Sequence, residues 1–170
     1  DEKWFDPNPP FLDFFHINSR AGLSTVGGIK IHLQDRNGFL WMSSRDSWGL
    51  FRYDGHIFKR FDEDQANTGK YLATKEIECV VEDEAGFLWI GCPLGLTRYD
   101  PKTEVFRTFE NTIDPSGNSV GQVFIDRQSR LWYSTENGTF LFNRKKEQFE
   151  KAFSGTITDA SGRTLSGQTV

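Results

Sequence analysis

An all-β fold assembled from about three four-stranded antiparallel units is what this sequence predicts, on three observations. The first is a repeat. Gln34-Asp35-Arg36-Asn37-Gly38-Phe39-Leu40-Trp41, Glu82-Asp83-Glu84-Ala85-Gly86-Phe87-Leu88-Trp89 and Ile125-Asp126-Arg127-Gln128-Ser129-Arg130-Leu131-Trp132 align without gaps, and the Asp anchors stand 48 and 43 residues apart. The second is a longer spacing within each copy: a Phe lies 17 residues after each Trp, at Phe58, Phe106 and Phe149. The third is composition. Aromatics make up 15% of the chain, with 16 Phe, 5 Trp, 16 Gly and a single Met, and rings with turn formers favour sheets over helices. A period of this length, holding four short apolar segments, is that of one propeller blade.

Within each unit the four strands can be justified in order. The inner strand alternates: Ile29, Ile31 and Leu33 in the first copy, Ile77, Cys79 and Val81 in the second, Val120 and Phe124 in the third. His32, between Ile31 and Leu33, is therefore expected to point away from them. An Asp-x-x-Gly turn follows, where Asp and Gly supply the turn chemistry. The second strand is nearly continuous in apolar residues (Phe39-Leu40-Trp41-Met42, Phe87-Leu88-Trp89-Ile90, Leu131-Trp132-Tyr133), which predicts burial on both faces, as between stacked blades. The third strand is Gly49–Asp54, Gly95–Asp100 or Gly138–Asn143. The outer strand ends in Phe58/Phe61 and Phe106/Phe109, weakened to Phe149/Ala152 in the last copy. The chain thus divides into a lead-in segment and outer strand at 1–28, blade 1 at 29–61, blade 2 at 62–109, blade 3 at 110–153 and a tail at 154–170.

Bulk properties narrow the function. A length of 170 residues allows one domain with a real core. A formal charge of -4 and a pI near 5.4 offer no basic face for nucleic acid. No apolar run is long enough to span a membrane, and the opening Asp1-Glu2-Lys3 lacks an apolar signal region, so any signal peptide is expected to have been removed. Cys79 and Cys92 fall on facing strands of one hairpin, either as two buried thiols or as a cross-strand disulfide. His16, His32 and His56 share no spacing suited to a metal or a catalytic pair. No nucleophile elbow, phosphate-cradling glycine loop or H-E-x-x-H is present. The acidic runs Asp62-Glu63-Asp64 and Glu82-Asp83-Glu84 read most simply as solvated loops, with weak calcium binding as the alternative. Neither a cofactor nor a metal nor an enzymatic activity is expected.

The pattern D-x-x-G-F-L-W-I-G-x-x-x-G-L-x-R-Y-D, written out at Asp83–Asp100, resembles the two-component regulator propeller repeat. The likeness covers residues 11 to 153, and Phe14-Phe15-His16-Ile17-Asn18 with Gly22-Leu23-Ser24 looks like the approach to a first blade. The third copy departs most, with Ser129 for Gly and Phe142-Asn143 for Tyr-Asp. This resemblance implies the sensor region of a bacterial hybrid histidine kinase or related regulator, periplasmic or at the cell surface, as part of a membrane-anchored parent. It also implies that the ligand is of glycan type, an oligosaccharide or its breakdown product.

The tail, SGTITDASGRTLSGQTV, has three readings. It opens a fourth blade, with Asp159, Gly162 and Leu165 at the Asp, turn and Trp positions and Ile157 on the inner strand. Or it opens a carboxypeptidase-regulatory-like β-sandwich. Or it is a junction or foreign segment, since these 17 residues are similar to a stretch of cobalamin-dependent methionine synthase, whose zinc ligands have no counterpart here.

Three blades do not close a ring, which takes about four to eight. The expected partners are therefore further propeller blades or a second copy of the chain. In a propeller, ligands meet the loops between second and third strands and between blades. Blade 1 breaks the repeat there. Trp41 to Gly49 is eight residues against six for Trp89 to Gly95 and Trp132 to Gly138. The insertion places Arg45, Asp46 and Trp48 as candidate ligand-binding residues, an aromatic face for stacking beside groups for directional hydrogen bonds. The recurring Trp41, Trp89 and Trp132 are expected to pack, and Arg52-Tyr53-Asp54 and Arg98-Tyr99-Asp100 to serve turn and inter-strand bonding. The alternatives to a sensor are a protein–protein scaffold and a propeller lyase, the latter needing a His and a carboxylate that converge on the channel.

Overall fold

The computed structural model describes residues 28–44, 49–61, 69, 72, 74–113, 119–151, 157–158 and 164–165. They form three four-stranded antiparallel sheets, each in sequential order. Blade 1 is β1 (Ile29–Gln34), β2 (Leu40–Ser44), β3 (Leu50–Tyr53) and β4 (Phe58–Phe61). Blade 2 is β5 (Cys79–Glu82), β6 (Leu88–Cys92), β7 (Gly95–Asp100) and β8 (Val105–Phe109). Blade 3 is β9 (Gln122–Ile125), β10 (Leu131–Thr135), β11 (Gly138–Asn143) and β12 (Gln148–Lys151). The architecture is a partial β-propeller. A two-stranded ladder follows, β13 (Ile157–Thr158) with β14 (Thr164–Leu165). Its pair Ile157↔Leu165 repeats the register of Leu33↔Trp41, Val81↔Trp89 and Phe124↔Trp132, in keeping with the start of a fourth blade.

The repeated Asp and Trp form one device. Asp35 Oδ1 accepts from the amides of Asn37 and Phe39 at 2.9 and 3.0 Å, while its Oδ2 accepts from Trp41 Nε1 at 2.8 Å. Asp83 and Asp126 repeat all three bonds, each ending on the Trp Nε1 at 2.8 Å. The carboxylate therefore shapes the turn and satisfies the indole N–H as the ring is buried. The third turn position needs a left-handed backbone: Gly38 has φ 86° and Gly86 88°, and Ser129 in blade 3 is held at 59°. At Asp126 desolvation works in the opposite direction, but the donors Trp132 and Arg130 hold the carboxyl down at about 2.

Trp41 and Trp89 then each stitch two blades together. Trp41 stacks on Phe61 at 5.4 Å and meets Tyr99 of blade 2 edge-on at 5.2 Å, while Trp89 packs against Phe109 and, at 5.3 Å, Phe142 of blade 3. Trp41, Leu50 and Phe61 share one apolar cluster with Val80, Leu88, Ile90 and Tyr99, and Trp89, Leu96 and Phe109 share a second with Val123, Leu131, Tyr133 and Phe142. β2 and β6 are buried almost throughout, as their unbroken apolar runs predict.

An ionic latch repeats at the outer edge. Glu104 and Glu147, both with left-handed backbone (φ 57° and 52°), sit in the hairpins between third and fourth strands. Each reaches back to the preceding blade: Glu104 to Lys59 at 2.6 Å and Arg52 at 3.8 Å, Glu147 to Arg107 at 2.6 Å and Arg98 at 3.3 Å. Arg52 also lies over Phe39 and Arg98 over Phe87, centred 4.6 and 5.0 Å from the rings. The recurring Arg thus bonds between blades rather than within a turn. Tyr53 and Asp54 do serve their turn, through Tyr53 Oη to Gly55 O and Asp54 Oδ1 to the amides of His56 and Ile57.

Three expectations need correction. A bulge interrupts β1, so that Ile31 pairs with Met42 and Leu33 with Trp41, leaving His32 as an extra residue between them. Ile29, Ile31 and Leu33 therefore do not share a face: Leu33 packs into the blade 1–2 core, Ile29 against Met42 and Phe51, and Ile31 is 49% exposed. In β9 the buried residue is Val123, and Phe124 is 63% exposed. The Glu82–Glu84 turn is clamped rather than solvated. Arg36 of blade 1 bonds Glu82 and the carbonyls of Asp83 and Glu84, and Arg144 of blade 3 bonds Asp83 and Glu84 from the other side. Asp62-Glu63-Asp64 and His16 lie outside the described residues. Cys79 and Cys92 are free thiols: Cys79 pairs with Gly91, Cys92 with Gly95, and burial pushes both thiols up.

Candidate functional site: a cleft between blades 1 and 2

Hairpin topology sorts the connections onto two faces. The Asp-x-x-Gly turns and the latch hairpins share one; the loops between second and third strands and those between blades share the other. On this second face a cleft of about 590 Å³ opens where blades 1 and 2 meet. Gly28, Ile29 and Lys30 at the start of β1 and Ser43 and Ser44 at the end of β2 form one wall, and Lys75, Glu76, Ile77 and Glu78 of the inter-blade segment form the other. Its size suits a small ligand, and its lining is as much apolar as polar, with Lys30, Lys75, Glu76, Glu78, Ser43 and Ser44 beside Ile29 and Ile77.

The bulge in β1 builds the first wall. The extra residue turns His32 so that its Nε2 lies 2.9 Å from Ser43 Oγ. Burial, followed by the nearby charge of Lys30, lowers His32 to about 4, so the ring is neutral at physiological pH. Lys30, opposite Ser43 in the ladder, donates from Nζ to the Glu78 carbonyl and so spans the cleft floor from one blade to the next.

The same place between blades 2 and 3 is filled. The position of Ser43 is taken by Gly91, where an added Cβ would stand 2.7 Å from Cys79 Sγ and 2.8 Å from the Val120 carbonyl. Val120 is fully buried and its amide donates to Cys92 O at 3.0 Å, drawing the inter-blade segment down onto blade 2.

Arg45, Asp46 and Trp48 lie outside the described residues. The segment that carries them leaves β2 directly after Ser44, which lines the cleft. The cleft residues themselves are not among the sequence candidates. One signal for them exists in the repeat, Ser43-Ser44 where blade 2 has Gly91-Cys92; nothing in the pattern marks Lys75, Glu76 or Glu78. Among the described residues no group of three or more His, Cys, Asp or Glu is placed to hold a metal ion.

Neither a family profile nor a curated protein matches the chain. Solved structures do. The chain is similar to the extracellular domain of the hybrid two-component system protein BT3049 from B. thetaiotaomicron, at 26% identity with a TM-score of 0.65, over 76% of this chain and 19% of that one. It shares its fold with the extracellular domain of the one-component system BT4673 from the same organism, at 20% identity and a TM-score of 0.59 over 79% and 19% of the two chains. It also shares it with PorZ, a surface component of the type-IX secretion system of Porphyromonas gingivalis, at 16% identity and a TM-score of 0.55 over 81% and 21%. The chain spans about a fifth of the length of the structures it matches. Among the described residues no helix is long and apolar enough to cross a membrane.

Proposed function

We propose that this chain is part of the extracytoplasmic sensor propeller of a two-component signalling regulator, periplasmic or at the cell surface, and that it binds a small oligosaccharide-type ligand in the cleft between blades 1 and 2. The observation that carries the reading is the asymmetry of the two blade junctions, open and polar at Lys30, Ser43, Lys75 and Glu76 but packed shut at Gly91 and Val120. The kinship with an extracellular two-component domain supplies the signalling context. Paired donors and acceptors of both charges suit a hydroxyl-rich ligand, and Trp48, the stacking candidate of the sequence, follows four residues after Ser44 along the chain. Binding would bias the relative placement of domains in the parent, which is the step a kinase or regulator reads.

Binding is favoured over catalysis by the state of His32. It is neutral and hydrogen-bonded to a serine at the cleft wall, and no carboxylate among the described residues is bonded to it to complete an acid–base pair. The test is a thermal-shift and calorimetric titration of the chain with a panel of neutral and acidic oligosaccharides. A ligand that raises the midpoint, and whose affinity drops at least tenfold in Lys75→Ala and in Trp48→Ala, supports the site. A blank panel, or binding untouched by both variants, refutes it.

A further inference from the structure

The inner strands of blades 1 and 2 are tied to each other at both ends. At the turn end Arg36, just past β1, is held by the Glu82 carboxylate and the carbonyls of Asp83 and Glu84, at the close of β5. At the cleft end Lys30 donates to the carbonyl of Glu78, just before β5. The two ties differ in kind. Arg36, Arg52, Lys59, Arg98, Arg107 and Arg144 all cross from one blade to its neighbour, and each ends on a carboxylate. Lys30 makes the same crossing and ends on a neutral oxygen instead.

An ammonium bonds a carboxylate about twice as strongly as it bonds a neutral acceptor, so the Lys30 tie is the one that a charged competitor can replace. The field of this cation reaches His32, lowered to about 4 by burial first and by Lys30 second. Ser43, opposite Lys30 in the ladder, sets a hydroxyl beside the ammonium, 2.9 Å from the His32 ring. Lys75 brings a second cation to the facing wall. Glu76 and Glu78 on that wall are exposed carboxylates, and they set a limit. One acid can be seated at Lys30, and each further acid on the same ligand meets their repulsion.

We propose, resting on the reading of this cleft as a saccharide site, that Lys30 selects a ligand bearing a single carboxylate, as in a uronic acid, and exchanges the Glu78 carbonyl for it. The exchange is like for like in shape, one planar oxygen for another, and it gains a charge. It also loosens the cleft end of the β1–β5 pair while Arg36 holds the turn end. Ligand charge thereby becomes a change in how blade 1 sits on blade 2, a difference that a regulator can read.

The experiment titrates the 170-residue chain with neutral trisaccharides of glucose, galactose and mannose, each beside derivatives with one or all three sugars oxidised to the uronate. Calorimetry gives affinities, and the amide resonance of Cys79, whose peptide group carries the Glu78 carbonyl, reports on the tie. A monouronate should bind at least tenfold more tightly than its neutral parent at low salt, and more tightly than the triuronate. It should displace the Cys79 resonance as Lys30→Met does without ligand. Lys30→Met should erase the preference and leave neutral binding unchanged, while Lys30→Arg keeps the preference; dispersed amide spectra confirm the fold of both. Neutral binding without an acid preference overturns the proposal and leaves the saccharide cleft standing. A preference that survives Lys30→Met, a triuronate that binds tightest, or a bound monouronate that leaves Cys79 unmoved also overturns it. If no sugar binds, the proposal and the saccharide reading fall together.

Discussion

The two junctions between blades are built from the same parts and end in opposite states. Each has a buried tryptophan tied to an aspartate, a ring cluster and a glutamate latch, and on those terms blades 1 and 2 meet much as blades 2 and 3 do. They part at one residue on the inner end of the second strand. Gly91 lets Val120 close over blade 2, whereas Ser43, bonded to a histidine that a bulge has turned toward it, stands at the edge of an open cleft. The lesson is that structural residues set the spacing of blades, and small local departures decide which seam becomes a site.

The largest expected effect tests what the junctions share. Trp41→Ala and Trp89→Ala should each cost about 3–5 kcal/mol in denaturant unfolding, since each empties the middle of a cluster. Trp132→Ala should cost clearly less, because its ring lies on the half-covered outer face of blade 3. Equal losses at all three would mean that this face is covered as well.

Next come exchanges that should break the difference. Gly91→Ser pushes a side chain to within 3 Å of Cys79 Sγ and the Val120 carbonyl, and about 1–3 kcal/mol of destabilisation is expected. The reverse change, Ser43→Gly, removes one hydrogen bond to His32 and should cost only about 1 kcal/mol. Similar costs for both would erase the distinction between closed and open seams.

His32 gives the open junction a pH signature. Its pKa is lowered from 6.5 to about 4, so the unfolded chain takes up a proton that the folded one refuses. Its contribution is fully present above pH 6.5 and declines as the pH falls from there toward about 4. His32→Gln should flatten the slope of stability against pH inside that window and leave it unchanged above. The smallest effect belongs to the latches. Their ion pairs are partly solvated, so Glu147→Gln should cost under about 1 kcal/mol and lose its effect in high salt.

Much of the architecture was legible because it rests on short-range rules that recur. Asp and Trp six residues apart can share a hydrogen bond only across a tight turn, and three copies of that spacing announce three hairpins. Equal spacings also concealed differences. Trp41 to Phe58 matches its siblings at 17 residues only because a two-residue insertion after β2 is offset by a two-residue deletion at the Asp54–Ile57 hairpin. The bulge at His32 was hidden likewise, since an extra residue in an alternating apolar stretch still looks alternating. The insertion drew attention to Arg45, Asp46 and Trp48, next along the chain from the cleft wall, but the opposite wall at Lys75–Glu78 carries no periodic mark.

The sequence alone determined the blades, their order and the structural duty of the tryptophans, because hydrogen-bonded turns and buried strands are local and repeat with the chain. Only the tertiary structure decided which seam stays open and which charges meet. Those depend on how closely one sheet lies on the next, at contacts between residues some 45 positions apart such as Lys30 with Glu78 and Lys59 with Glu104, where a single Cβ at the position of Gly91 or Ser43 sets the distance.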